Sequence, residues 1–325
     1  MDVSLFQETR MDGRDSAGRS GGMAWQGVPA RDAERSAQAL DREKAESLAQ
    51  AEAPIGVFDS GAGGLTILSA LRHELPGEDY VYFADTAHCP YGARSEADIT
   101  DLSIRIARFL IERDVKLIVV ACNTASQAAL ASLRATFPGI PFVGVVPAVK
   151  PAARATKNGR IAIAATNQAA KATYLRQLID EFAGGIQVSA IGCPELVTLV
   201  EEGQFDGPTV EETVRLALAP VLQEHVDVIV LGCTHFPALR PVIERVAGPR
   251  VQVIDSSVAI ARRTRYVLDT EGLMHPEPAE SEGKGHLEVY CSGDASHFSQ
   301  VASTLLGYAV SAEHVEMTRS FDKIS

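Results

Sequence analysis

From Ala53 onward, short runs rich in β-branched residues, each closing on a Gly, Ser, Asp, Asn or Thr, alternate with helix-forming stretches. No other feature of the chain limits its fold so strongly. Strands joined through helices run parallel, and a parallel sheet must be covered by helices on both faces. The runs predict nine strands, at Ile55–Phe58, Tyr80–Ala84, Leu117–Ala121, Phe142–Val146, Arg160–Ala164, Gln187–Ile191, Val226–Leu231, Val251–Ile254 and His286–Tyr290. The expected class is α/β, doubly wound.

The alternation also repeats. "IGVFDSGAGG" at Ile55 pairs with "IAIAATNQAA" at Ile161, an offset of 106. "VYFADTAHCPYG" at Val81 pairs with "VSAIGCPELV" at Val188, offset 107, and "VGVVPAV" at Val143 with "VQVIDSS" at Val251, offset 108. Between the last two lie Cys122 and Cys233, offset 111, each following an apolar run and preceding a threonine within two residues. Successive strand ends at one near-constant spacing indicate two similar parallel-sheet domains related by a pseudo-two-fold axis. Ligands of open α/β sheets bind at the carboxyl ends of the strands. The expected active site is therefore the cleft between the domains, where Cys122 and Cys233 meet.

Composition narrows the class further. The net charge of −12 disfavours nucleic acid and anionic membrane as partners. No apolar run reaches the roughly 18 residues of a membrane span. Five cysteines, an odd number at low density, do not make a disulfide framework, and a reducing cytoplasm is the expected home. Residues 1–53 are polar, with ten acidic side chains against seven basic, and lack strand-like runs. They are read as a disordered extension, with Met1, Met11 and Met23 as alternative starts and a helix over Asp32 to Gln50.

A buried cysteine is most often a small hydrophobe, and Cys89, Cys193 and Cys291 are read that way. Two thiols in matching places of a repeat are not explained by packing alone. The chain lacks CxxC and HxxxH spacings, so no metal is expected, although Cys233 and His235 offer two ligands. A Cys-x5-Arg phosphatase loop is absent, since Ala128 and Leu239 stand six residues after the thiols. A thiol hydrolase needs only one cysteine. Inverting a stereocentre, by contrast, needs one group to remove a proton from one face and another to deliver a proton to the opposite face. Asn123, Thr124, Thr234 and the turn Ser60–Gly64 supply neutral donors suited to an amino acid's carboxylates. That turn is not a dinucleotide fingerprint, because Gly61 and Gly63 are followed by Thr66.

Six blocks, "IGVFDSGAGGLTIL", "YFADTAHCPYG", "ACNTAS", "VVPAVKPA", "CPELVTLVEEG" and "LGCTHFPAL", resemble, in order, those of the cofactor-independent aspartate/glutamate racemase family, glutamate racemases in particular. The resemblance covers Ile55 to about Leu306. It implies Cys122 and Cys233 as the proton donor and acceptor, with Asp59, Glu201 and His235 assisting. It implies substrate contacts from Asp59, Ser60, Tyr91, Gly92, Asn123, Thr124, Thr166, Thr234 and His235, and no pyridoxal phosphate. Domain one would comprise 54–149 and 262–325, and domain two 150–261. The implied partner is glutamate, interconverted between its L and D forms for peptidoglycan synthesis, and a homodimer is the assembly it allows. An aspartate racemase and a non-catalytic binding protein for acidic amino acids are the alternatives. From the residues alone, Asp59 reads equally as a helix cap, Tyr91–Gly92 as a turn and Glu201 as a solvated helix end. One block departs from the family pattern. "AATNQAAKATY" keeps Thr166 but carries Ala169 where a second threonine is expected, which removes one hydroxyl from the implied substrate anchor.

Overall fold

Strands form where the β-branched runs lie, and period-2 alternation decides which core each residue enters. The structure, a computed structural model, describes residues 45–276 and 285–317. Expectations for residues 1–44, the alternative starts among them, lie outside the described residues. Residues 45–52 form helix α1, which overlaps the end of the helix expected over Asp32 to Gln50. Ala51 is buried there and its carbonyl accepts a hydrogen bond from the buried Lys116 ammonium, so ordered chain begins before residue 54.

The chain continues through β1 (Ile55–Asp59), α2 (Leu65–Glu74), β2 (Tyr80–Ala84), α3 (Glu96–Ile111), β3 (Leu117–Val120), α4 (Asn123–Thr136) and β4 (Phe142–Gly144). It then forms α5 (Val149–Ala155), β5 (Arg160–Ala165), α6 (Asn167–Lys171), α7 (Thr173–Phe182), β6 (Gln187–Gly192), α8 (Pro194–Glu201), α9 (Pro208–Gln223), β7 (Val228–Leu231), α10 (Arg240–Ala247) and β8 (Gln252–Ile254). It closes with α11 (Ser257–Thr270), β9 (Leu287–Cys291), α12 (Ala295–Leu306) and β10 (Glu313–His314). All nine expected strands are present. The additional β10 has only two residues, too few to show an alternating pattern.

Two all-parallel sheets result, ordered β10-β9-β2-β1-β3-β4 and β6-β5-β7-β8. The order 2-1-3-4 within the first is repeated strand for strand in the second, as the sequence offsets require. In the first sheet, Ile55, Val57 and Tyr82 pack with α2, α11 and α12, while Phe58, Phe83 and Val120 pack with α3 and α4. In the second, Ala162, Ala164 and Ile229 pack with α8, α9 and α10, while Ile161, Ile163 and Val230 pack with α5 and α7. Both sheets are thus doubly wound.

The chain crosses between sheets twice. Helix α5 packs in the second sheet's core, and Ile260 and Ala261 of α11 pack in the first sheet's. The return therefore comes before residue 262. Ser256 Oγ donates to the Val146 carbonyl at 2.6 Å, tying the two crossings together.

Lys116 and Glu78 form an ion pair whose side chains are 0% and 2% exposed, and a second Glu78 oxygen accepts from His275 N. Removing one member leaves the other charge buried without its counter-ion. Glu78→Ala should cost about 3–5 kcal/mol in denaturant unfolding. Arg215→Ala, which breaks exposed pairs with Glu211 and Glu212, should cost no more than about 1 kcal/mol. Equal losses would contradict the burial argument.

Candidate active site

In each sheet the first and third strands of the repeat lie side by side, and the chain leaves them in opposite directions. That is the switch point where open α/β sheets bind ligands. Asp59 ends β1, and Cys122 follows β3 at the head of α4. Thr166 follows β5, and Cys233 follows β7. The four ends are brought against each other. Thr124 Oγ1 lies 3.1 Å from Thr166 Oγ1, Thr234 Oγ1 donates to Asp59 Oδ2 at 3.3 Å, and Thr66 Oγ1 donates to the Thr234 carbonyl at 3.0 Å.

Ser60, Tyr91, Gly92, Asn123, Thr124, Thr166, Thr234, His235 and the two thiols line one enclosed cavity of about 10 Å³, closed by Pro90 and Val197. That volume suits a water rather than an amino acid. Asn123 Nδ2 is buried without a hydrogen-bond partner, a donor available to a ligand oxygen. The Tyr91 hydroxyl is committed elsewhere, donating to Asp85 Oδ2 at 2.6 Å.

The two thiols sit in different surroundings. Cys122 lies beside Ser60 Oγ (3.9 Å) and near Asp59. Burial, reinforced by the Asp59 charge, pushes its thiol well above the ordinary range. Burial likewise raises Asp59, although His235 opposes it. Cys233 Sγ lies 3.6 Å from His235 Nδ1, and His235 Nε2 lies 2.5 Å from Glu201 Oε1. Burial acts to lower His235, but hydrogen bonds with Cys233, Cys89 and Glu201 outweigh it, and the imidazole is held well above its usual value. Burial acts to raise Glu201, and its bonds to His235 and Ala62 N outweigh that, holding it low. Glu201 and His235 therefore behave as a carboxylate–imidazolium pair behind Cys233.

The glycine turn does something other than expected. Read from the sequence, it offers backbone donors to a substrate carboxylate. In the structure Ala62 N donates to Glu201 Oε1 at 2.7 Å and Gly64 N to Asp59 Oδ2 at 2.6 Å. The turn thus holds the protein's own carboxylates. A side chain at Gly61 would collide with the Glu201 carboxylate, and one at Gly63 with the His235 ring. Glu201 is a half-buried partner of His235 rather than a fully solvated helix end. Cys89, read as structural, stands beside Glu201 and His235. Its one signal was adjacency to Pro90-Tyr91-Gly92. At the departing block, Ala169 is buried and gives its N–H to Thr166 Oγ1, so it adds no hydroxyl to the cavity.

Two thiols line one cavity, Cys122 beside Asp59 and Cys233 beside His235. A family model described as Asp/Glu/Hydantoin racemase matches residues 64–264. The glutamate racemase of Herpetosiphon aurantiacus is 45% identical over 252 residues, 78% of this chain and 97% of its own. Among solved structures, Escherichia coli glutamate racemase in complex with L-glutamate and the activator UDP-MurNAc-ala is similar, with TM-score 0.71 and 36% identity over 81% of this chain and 98% of its own. Glutamate racemase from Francisella tularensis in complex with D-glutamate gives TM-score 0.71 and 29% identity over 82% and 98%. The chain belongs to the Asp/Glu/hydantoin racemase family, and with it to the isomerases.

Asp59 carries a testable cost. Its folded pKa lies above the ordinary 3.8. The folded state therefore binds the extra proton, and stability falls as pH rises from about 3.8 through the raised value. Asp59→Asn removes that penalty. The variant should gain Tm over the parent as pH rises above about 3.8, with no gain below it, the gain levelling off once Asp59 is ionised in the folded parent, while losing activity. A Tm difference independent of pH would contradict the assignment.

Proposed function

We infer that the protein interconverts L- and D-glutamate by proton transfer between Cys122 and Cys233. The observation that carries this reading is the placement of the two thiols at equivalent strand ends of a repeated fold, lining one cavity. With L-glutamate bound, the Cys233 thiolate removes the α-proton on one face, and the Cys122 thiol delivers a proton to the other. From D-glutamate the roles exchange. His235, held by Glu201, serves Cys233, while Asp59 serves Cys122. The Cys122 thiol, kept protonated by burial, is suited to begin as the donor.

Substrate anchoring falls to neutral donors. Asn123 Nδ2, the hydroxyls of Ser60, Thr124, Thr166 and Thr234, and the N-terminus of α4 supply hydrogen bonds to carboxylate oxygens without a lysine or arginine. Placed around the α-carboxylate, they stabilise the charge that develops when the α-proton leaves. The protein acts in the cytoplasm and furnishes D-glutamate for peptidoglycan. Among the described residues no helix is long and apolar enough to cross a membrane.

Racemisation in heavy water tests the pairing. Early product should carry α-deuterium while remaining substrate stays protiated, because the donor thiol exchanges with solvent and the acceptor takes the substrate's proton. A single shared base would label both pools together. Cys122→Ser should slow abstraction from D-glutamate most and Cys233→Ser from L-glutamate, since a serine hydroxyl is a far poorer base than a thiolate. Wild-type rates in both directions for either variant would remove that cysteine from the mechanism. Turnover of L-aspartate in preference to L-glutamate would move the substrate to the shorter amino acid.

A further inference from the structure

At the edge of the cavity, the pair behind Cys233 has a third reactive neighbour, Cys89, which has no part in the proton transfer as described. Cys89, Glu201 and His235 each present a ligating atom, and the three atoms lie within 4.8 Å of one another. They come from three separate segments, at the 89, 201 and 235 positions, so no ligand spacing in the sequence marks them. The sequence argument against a metal rested on such spacings and does not reach this cluster. Thiolate, imidazole and carboxylate together form a donor set suited to zinc. Ligands on a tetrahedral zinc at about 2.0–2.3 Å stand about 3.3–3.8 Å apart, so small side-chain movements bring these atoms into range.

The cluster is also reachable. Cys89 and Glu201 line the wall of a neighbouring cavity of about 420 Å³ that also takes in Asp294 and Glu202, whose carboxylates favour an entering cation.

We propose that Cys89, Glu201 and His235 form a reversible site for a soft divalent cation of the zinc class, and that filling it stops proton transfer at Cys233. The cation bonds to Cys89 Sγ, a Glu201 oxygen and His235 Nε2. The thiol proton of Cys89 and any proton on Nε2 pass to solvent. The Glu201–His235 hydrogen bond is broken, and the imidazole no longer exchanges a proton through Nε2. The second half of the proposal rests on the reading of Cys233 and His235 as proton-transfer groups.

Cobalt(II) is the probe, added to the reduced full-length protein without oxygen. Thiolate coordination gives a near-ultraviolet charge-transfer band that needs no turnover to be seen. The parent protein and Cys122→Ser should both show the band, and Cys89→Ala should lack it. Glu201→Gln should keep the band but need at least about tenfold more cobalt to reach it. Zinc should inhibit racemisation, EDTA should restore it, and Cys89→Ala should need at least about tenfold more zinc for the same inhibition. A band that survives in Cys89→Ala, or no band in the parent, overturns the site. A Cys89-dependent band with racemisation indifferent to zinc overturns the inhibition. If the protein racemised nothing, the cobalt result would still decide the site, so failure here and failure of the functional reading are distinct.

Discussion

The site hangs on one carboxylate. Glu201, at the end of α8 on the second sheet, reaches across to accept from Ala62 N in the glycine turn of the first sheet. The same oxygen, Oε1, meets His235 Nε2. One atom thus joins the two halves at the site and fixes the direction of the imidazole, whose other nitrogen faces Cys233. Gly61 and Gly63 are glycines because the carboxylate and the ring lie where their side chains would be.

The same compactness raises the cost of holding charge. Asp59 is buried at a strand end and shifted upward, an arrangement that a fold selected for stability alone would replace. Its charge is tolerated because Gly64 N, Thr234 and Ser60 surround the carboxyl with donors. On the other side the carboxylate and imidazolium offset each other. The enclosed volume strengthens every such interaction by excluding water. The two halves therefore match in backbone topology while differing in the chemistry behind each thiol.

Much of this was legible in the sequence, for a physical reason. Parallel strands buried on both faces must be continuous apolar runs, and their carboxyl ends must turn sharply, so runs and turn residues mark both the fold and the place of Cys122 and Cys233. Asp59, Asn123, Thr124, Thr166 and His235 all lie within four residues of those ends. What depends on long-range contact left no local trace. The partnership of Glu201 with Ala62 N spans 139 residues, and a glycine kept for a distant ring looks the same as one kept for a turn. Cys89 and Val197 reach the site region only because α8 and the Thr86–Ala93 segment are packed together by the sheets.

The central claim is that one stereocentre is held between two thiols. A crystal structure with D-glutamate bound tests it most directly. The account predicts the α-carbon between Cys122 Sγ and Cys233 Sγ, the two sulfurs on opposite faces and each within about 3–3.5 Å of reacting geometry, with an α-carboxylate oxygen on Asn123 Nδ2. An α-carbon reached by only one sulfur, or by both from the same face, would contradict it.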